Sequence, residues 1–244
     1  MEVITVLWRE YIFFKKRFWK ITSSLIVSPL LYMIAFGWGL GEGIVVEGND
    51  YMNYIMPGII ALTTMRSSFT AISMRISVSR LHEKSFEYYL VSPTNMHLLT
   101  LGNLLAGTLR GVYAAVIIII ISFMFGIVIK INLLFFIICF LNSLLFSALG
   151  FYAAMMIDTH YDLNRFTSFI INPMVFLCGT FFSLSKMPFT IRKLIELLPL
   201  THSTRALRAI ALNGNIEILS IFVMMIYILA LYLLCVRACY REVA

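Results

Sequence analysis

The chain has 244 residues and a formal net charge of +7 at neutral pH; 61% of its residues are hydrophobic and 13% are charged. Soluble domains average about 45–50% apolar and about 25% charged residues, so there is too little polar surface here to cover a water-facing globule, and lipid must solvate most of the chain. A span takes about 20 apolar residues, so six or seven spans use up the length and leave no room for a soluble catalytic domain. The basic residues lie mainly between apolar runs, which suits an anionic membrane surface better than a nucleic-acid-binding face.

Residues 1–20 carry Ile4, Leu7, Trp8, Tyr11, Phe14 and Phe18 at helical spacing, with Glu2, Arg9, Lys16 and Lys20 on the opposite face. That pattern predicts an amphipathic helix lying in the membrane interface. Lys15, Lys16, Arg17 and Lys20 precede an apolar run, as in a secretory signal. The run ends in Phe36-Gly37-Trp38-Gly39-Leu40-Gly41 rather than in a small-residue cleavage site, so it is read as an uncleaved first span.

Six apolar segments follow, at 21–41 with a kink expected at Pro29, then 55–78, 100–129, 131–157, 166–183 and 215–236. Backbone polar groups must be satisfied within lipid, so these are helices and the fold class is an all-α integral membrane protein. An even number of spans places both termini on one side. That side carries Arg9, Lys15, Lys16, Arg17, Lys20, Arg75, Arg80, Lys84, Arg110, Arg165, Arg237 and Arg241; the other carries Lys130, Lys186, Arg192, Lys193, Arg205 and Arg208. The bias places both termini in the cytoplasm of a multi-pass cell (plasma) membrane protein. The loop after the first span holds Glu42, Glu47 and Asp50 without a basic residue, as expected outside. No internal repeat is evident, so residues 1–244 read as a single transmembrane domain.

Two stretches are neither span nor simple loop. Residues 80–93 alternate charges with large apolar side chains and stop at Pro93. A two-span connection needs only a short turn, so this amphipathic helix on the cytoplasmic side suggests a docking surface for another protein. Residues 184–214 are cut by Pro188, Pro199 and Gly214 into two pieces of about ten residues, with apolar stripes of Ile191, Leu194, Ile195 and Leu198 and of Leu207, Ile210 and Ala211. Each piece reaches about 15 Å, half of the roughly 30 Å hydrocarbon core. They are expected to dip in and return as an outer re-entrant hairpin, covered by protein or lining a cavity.

These two stretches carry a resemblance to the type-2 ABC transporter permeases, the group that includes drug-resistance, nodulation-factor and polysaccharide exporter permeases. Residues 80–93 resemble that family's coupling helix through Glu87, Leu90, Ser92 and Pro93, with Gly102 following; Lys84 stands where many members have Gly. The hairpin resembles the family's Pro-Leu-Thr-His segment followed by Arg, here Pro199, Leu200, Thr201, His202 and Arg205. The resemblance implies six transmembrane helices, a dimer with a second permease copy or paralogue, and an outer gate formed by those five residues. It also implies a cytoplasmic ABC ATPase subunit, docked through His82, Glu83, Ser85, Phe86, Glu87, Leu90, Ser92 and Pro93 and through the N-terminal helix. The implied activity is outward movement of an amphipathic, lipid-like or lipid-linked substrate.

No G-x-x-x-x-G-K-[ST] motif exists in the chain, so the usual phosphate cradle is missing. The expectation is therefore a non-catalytic subunit without a cofactor of its own, with ATP and Mg on the separate ATPase chain. Arg66 lies near the middle of the second span, where a charge costs about 2.5–3.5 kcal/mol on insertion scales; it is expected to face protein or water. Thr63, Ser67, Thr70, Ser73 and Ser77 share its face, a candidate transport pathway or dimer seam. Asp158, His160 and Asp162 cluster between the fourth and fifth segments, where carboxylates and histidine suit metal binding or acid–base work as well as an ordinary solvated loop. Cys139, Cys178, Cys235 and Cys239 form no C-x-x-C and are expected to be packing residues; Cys235 and Cys239 share a helix face, which leaves a metal or lipid role open. A membrane-embedded enzyme of lipid metabolism would need convergent acids or histidines. A secondary transporter would need buried acids and an internal repeat.

Overall fold

The computed structural model describes residues 2–39, 43–84, 86, 95–127, 129–184, 187–212, 214 and 217–243. Among the residues singled out above, Leu40, Gly41, Glu42, Ser85, Glu87, Leu90, Ser92, Pro93 and Lys186 lie outside them.

The N-terminal helix and the first span form one element, α1 (Glu2–Tyr32), broken at Arg17, whose backbone leaves the helical region at φ −117°, ψ 17°. A π-helical stretch, Met33–Gly39, continues it. The chain then makes a short hairpin of β1 (Val45–Val46) and β2 (Asn49–Asp50). Its two-residue turn has positive φ at both Glu47 and Gly48, the backbone hand that matches strand twist. Next come α2 (Tyr51–Leu81), α3 (Met96–Met124) and α4 (Leu133–Met156), capped at their starts by Asp50, Asn95 and Asn132, whose side chains accept backbone N–H groups. The fifth apolar segment, expected over 166–183, begins earlier. It is α5 (His160–Phe166), a π-turn at Thr167–Ile171, and α6 (Asn172–Leu177). Two short helices follow, α7 (Phe189–Glu196) and α8 (Pro199–Ala211), and then the long α9 (Ile218–Val243).

Among the described residues, five helices are long and apolar enough to cross a membrane: most of α1 with its π-helical continuation, then α2, α3, α4 and α9. The chain is an all-α membrane protein. Its centre is α2, which packs against α3, α4 and α8, while α1 lies on α3 and α9 lies on α4 and α8. Large side chains on α1 and α9 point outward, among them Trp19, Phe222 and Leu229, as lipid-facing surfaces do.

The core has two parts. One fills the half of the bundle away from the termini, with Tyr54, Ile59 and Phe69 of α2, Phe135 and Phe146 of α4, Val175 of α6, Leu207 of α8 and Met224 of α9. The other lies at the end carrying both termini and includes Val6, Ile76, Phe86, Leu99, Phe151 and Cys239. Small residues let the three central helices approach. A Cβ on Gly107 or Gly111 of α3 would meet side chains of both α2 and α4, and one on Gly150 of α4 would lie 2.7 Å from the Phe69 carbonyl oxygen. Gly107 and Gly111 form a G-x-x-x-G seam, the spacing by which membrane helices pack closely. Polar side chains bridge the same seam: Asn142 donates to the Ala61 carbonyl at 2.9 Å and Ser147 to the Leu104 carbonyl at 2.8 Å. All four cysteines are buried and free; Cys235 donates to the Ala148 carbonyl at 3.3 Å, and Cys239 sits 3.6 Å from the Thr100 hydroxyl.

Candidate functional site

The polar stripe of α2 divides among three neighbours. Thr63 is buried and donates to the Ile59 carbonyl of its own helix at 2.7 Å. Ser67 donates to the Arg110 carbonyl of α3 at 3.2 Å, Ser73 is buried, and Ser77 bonds the His160 Nδ1 at 2.9 Å. Thr70 is exposed. Arg66 has a specific partner: its Nη2 donates to the Asn172 Oδ1 at 2.7 Å. Asn172 is the first residue after the π-turn in the fifth segment. A π-turn leaves the i→i−4 ladder irregular and recurs at functional sites, and here the charge at mid-span is tied to that irregularity.

At the terminal end, α2 meets the start of α5. Arg80 pairs with Asp158 at 2.7 Å and donates to the Ile157 carbonyl at 3.2 Å. The rings of His82 and His160 stack with centroids 4.6 Å apart. Thr159 caps α5 by accepting the Asp162 backbone N–H at 3.0 Å and donating to the Asp162 carboxylate at 2.7 Å. The three residues considered for a metal or acid–base site thus have separate partners, and among the described residues no group of three or more His, Cys, Asp or Glu is placed to hold a metal.

Lys84 adopts φ +50°, the left-handed conformation that glycine tolerates best. A glycine, which the resemblance leads one to expect at this position, would adopt that backbone without strain. Phe86, expected among the ATPase contacts, is 2% exposed and sits in the core cluster with Val6 of α1, Met96 and Leu99 of α3 and Cys239 of α9. Its ring is therefore packed into the bundle.

The N-terminal helix uses a residue that its apolar stripe did not reveal. Ile4, Trp8 and Tyr11 are exposed, while Val6 and Glu10 face the protein. Glu10 pairs with Arg75 of α2 and lies 3.7 Å from the Nε of Arg110 of α3, so one carboxylate ties three helices. The signal was in the sequence: Glu10 stands three residues after Leu7 and four before Phe14, an acid on the apolar face that must find a cation.

The helical hairpin shows what the Pro-Leu-Thr-His segment does. Pro199 opens α8, where its missing N–H costs nothing. Leu200 is fully buried. The last carbonyls of α7 have no helical donors, and side chains supply them: Thr201 donates to Ile195 at 2.7 Å, the His202 Nε2 to Glu196 at 2.9 Å, and the Tyr227 hydroxyl of α9 to Leu197 at 2.8 Å. Arg205 bonds the Glu196 carboxylate at 2.6 Å and Arg192 joins it at 3.1 Å, so the Glu196 carboxyl is held below the usual range, chiefly by the Arg205 bond. Burial pushes the His202 imidazole below its ordinary value, and the nearby Arg205 charge adds to this.

Sequence reasoning passed over Arg208, a strong tie between the hairpin and the bundle. Its Nε donates to the Tyr54 carbonyl at 3.1 Å, its Nη2 to the Gly179 and Thr180 carbonyls at 2.9 and 3.2 Å, and its guanidinium lies 3.8 Å from the Tyr54 ring centroid. One residue thus joins α8, the start of α2 and the loop after α6.

The ABC-2 type transporter family model matches residues 1–212. An inner membrane transport permease of Escherichia coli strain K12, YadH, is 26% identical over 233 residues, covering 90% of this chain and 88% of that protein. Nodulation protein J of Bradyrhizobium diazoefficiens is 27% identical over 217 residues, covering 87% of this chain and 82% of its own length. Nodulation protein J of Rhizobium meliloti is 26% identical over 222 residues, with 86% and 81% covered. The family match takes in the N-terminal helix, the seam of α2, α3 and α4, and the helical hairpin, and the chain belongs to the ABC-2 type transporter family as a permease subunit.

Proposed function

We propose that the chain is the membrane-spanning half of an ATP-driven exporter that moves an amphipathic, lipid-like or lipid-linked substrate outward, with both termini in the cytoplasm and a separate ABC ATPase docked at the terminal end. The similarity to an inner membrane permease supports placement in the plasma membrane. The observation that carries the reading is the packing around Phe86. Phe86, within the stretch expected to receive the ATPase, packs in one core cluster with residues of α1, α2, α3, α4 and α9, and cores are close-packed and transmit displacement. Motion imposed on residues 80–93 would therefore reach most of the spans together. The α2 face at Arg66 and the hairpin at Pro199–Arg205 are the proposed pathway and gate, and a second permease copy would complete the pathway.

The test is co-purification with a P-loop ATPase encoded beside the chain, followed by ATPase assays in nanodiscs with and without Glu87→Ala. The expected result is a stable complex whose ATPase activity depends on the permease and falls in the variant. A functional permease that needs no nucleotide-hydrolysing partner, or labelling of residues 80–93 from outside intact cells, would overturn it.

A further inference from the structure

A cavity of about 680 Å³ lies between the first half of α1 and the terminal half of α2, with Arg110 of α3 at its back. That volume is within the roughly 300–1,000 Å³ of small-molecule sites. Arg9, Arg17, Lys20, Arg75 and Arg110 line it, with carboxylates from Glu10 and Glu83 alone. Glu10 is already shared by Arg75 and Arg110. The cavity is therefore strongly cationic, and part of that charge is held away from water: the Arg110 side chain is 14% exposed, and among the described residues its Nε has only the longer ion pair with Glu10 and no hydrogen-bond acceptor. Two cations also converge on one ring, since the guanidiniums of Arg17 and Arg110 lie 4.8 and 5.5 Å from the Phe13 centroid. Like charges gathered at low dielectric repel unless an anion joins them.

The lining changes along the bundle. Near the terminal end it is charged. Further along it becomes hydroxylic at Ser24, Ser67 and Thr70, and beside these lie Ile21, Leu25 and Met74. Met74 is 46% exposed. A free inorganic anion has no use for an apolar extension, whereas an amphipath matches both ends of the gradient. Arg17, whose backbone breaks α1, lies between Glu10 and Lys20 in the charged part of the lining.

We propose that this cavity binds the phosphate-bearing headgroup of an anionic lipid or lipid-like cargo drawn from the leaflet at the terminal end, with its chain laid along Ile21, Leu25 and Met74. This names a chemical class for the cargo and rests on the exporter reading for which leaflet that is. Binding itself needs neither nucleotide nor ATPase, so it is measured on the permease alone, and its failure would leave the ATP-coupled reading standing.

The permease is equilibrated in detergent with equal amounts of phosphatidylglycerol and phosphatidylcholine of matched chains, and retained lipids are counted by native mass spectrometry. Phosphatidylglycerol should be preferred, and Arg17→Gln and Lys20→Gln, both at exposed positions of α1, should each reduce that preference about fivefold. Arg110→Gln should do the same, but it also disturbs Glu10, so the two exposed variants carry the test. Equal retention of the two lipids by the unaltered protein would overturn the proposal. So would an equal loss in Arg241→Gln, on α9 and outside this cavity, which would make the preference a general surface effect. In a third arm, inorganic phosphate is added at matched ionic strength; if it binds while the two lipids are retained equally, the site belongs to a free anion and the lipid assignment fails.

Discussion

Replacing Arg208 by Met should detach the helical hairpin from the bundle. Arg208 donates through Nε to one carbonyl and through a single Nη2 to two, so it makes two effective charge-assisted bonds. Such bonds contribute about 1.5–3 kcal/mol each in mutational series, or about 3–6 kcal/mol together, and the face of Tyr54 adds to this. Met occupies similar volume and removes the cost of desolvating a guanidinium, which offsets part of the loss. A net cost of about 3 kcal/mol corresponds to roughly a 10²-fold rise in the local opening equilibrium, at tenfold per 1.4 kcal/mol. Hydrogen exchange of amides 199–211 in nanodiscs reads that opening directly. Arg205→Met is the internal comparison. Arg205 and Glu196 are 23% and 32% exposed, and partly screened pairs contribute about 0–1 kcal/mol, so exchange should rise by no more than about fivefold. Arg208→Lys should fall between, because an ammonium can reach the carbonyls but cannot lie flat on the ring. If Arg208→Met changed exchange by less than Arg205→Met, the argument that Arg208 pins the hairpin would be refuted.

Arg66→Leu leaves the Asn172 amide without its partner inside the bundle, a cost of about 1–3 kcal/mol; the protein should still insert, and transport in reconstituted vesicles should fall, whereas undiminished transport would remove Arg66 from the pathway. Lys84→Gly should stabilise the segment after α2 by about 1 kcal/mol, since an L-residue in the left-handed region carries a penalty of roughly that size; a thermal midpoint that stays put or falls would deny that strain. Docking of the hairpin should weaken in mild acid. His202 has a folded pKa below its ordinary 6.5, so the neutral form is favoured in the folded state; its contribution is complete above pH 6.5 and is lost as the pH falls through the lower folded value. Exchange at 199–211 should therefore rise below pH 6.5 in the unaltered protein and stay flat through that range in His202→Gln.

Composition alone determined that the chain lives in lipid, because 13% charged residues cannot solvate a globule of this length. Periodicity and proline placement raised the expectation of long helices and of two short pieces within 184–214, since both signals act over a few residues and are set by backbone sterics. The Pro-Leu-Thr-His segment was legible as a motif, but its purpose, capping the last carbonyls of α7, requires two helices side by side and so belongs to the tertiary structure. The same holds for Arg208 and Glu10. In sequence Arg208 is one more basic residue in a polar stretch and Glu10 an isolated acid; only packing brings to the first the carbonyls of Tyr54 and Gly179, and to the second the cations of α2 and α3. The outward-facing Ile4, Trp8 and Tyr11 and the buried Phe86 make the complementary point. In lipid both faces of a helix are apolar, so hydrophobicity no longer tells which side meets protein. Small residues and hydrogen-bonding partners decide that instead, and they are recognised only when the helices are brought together.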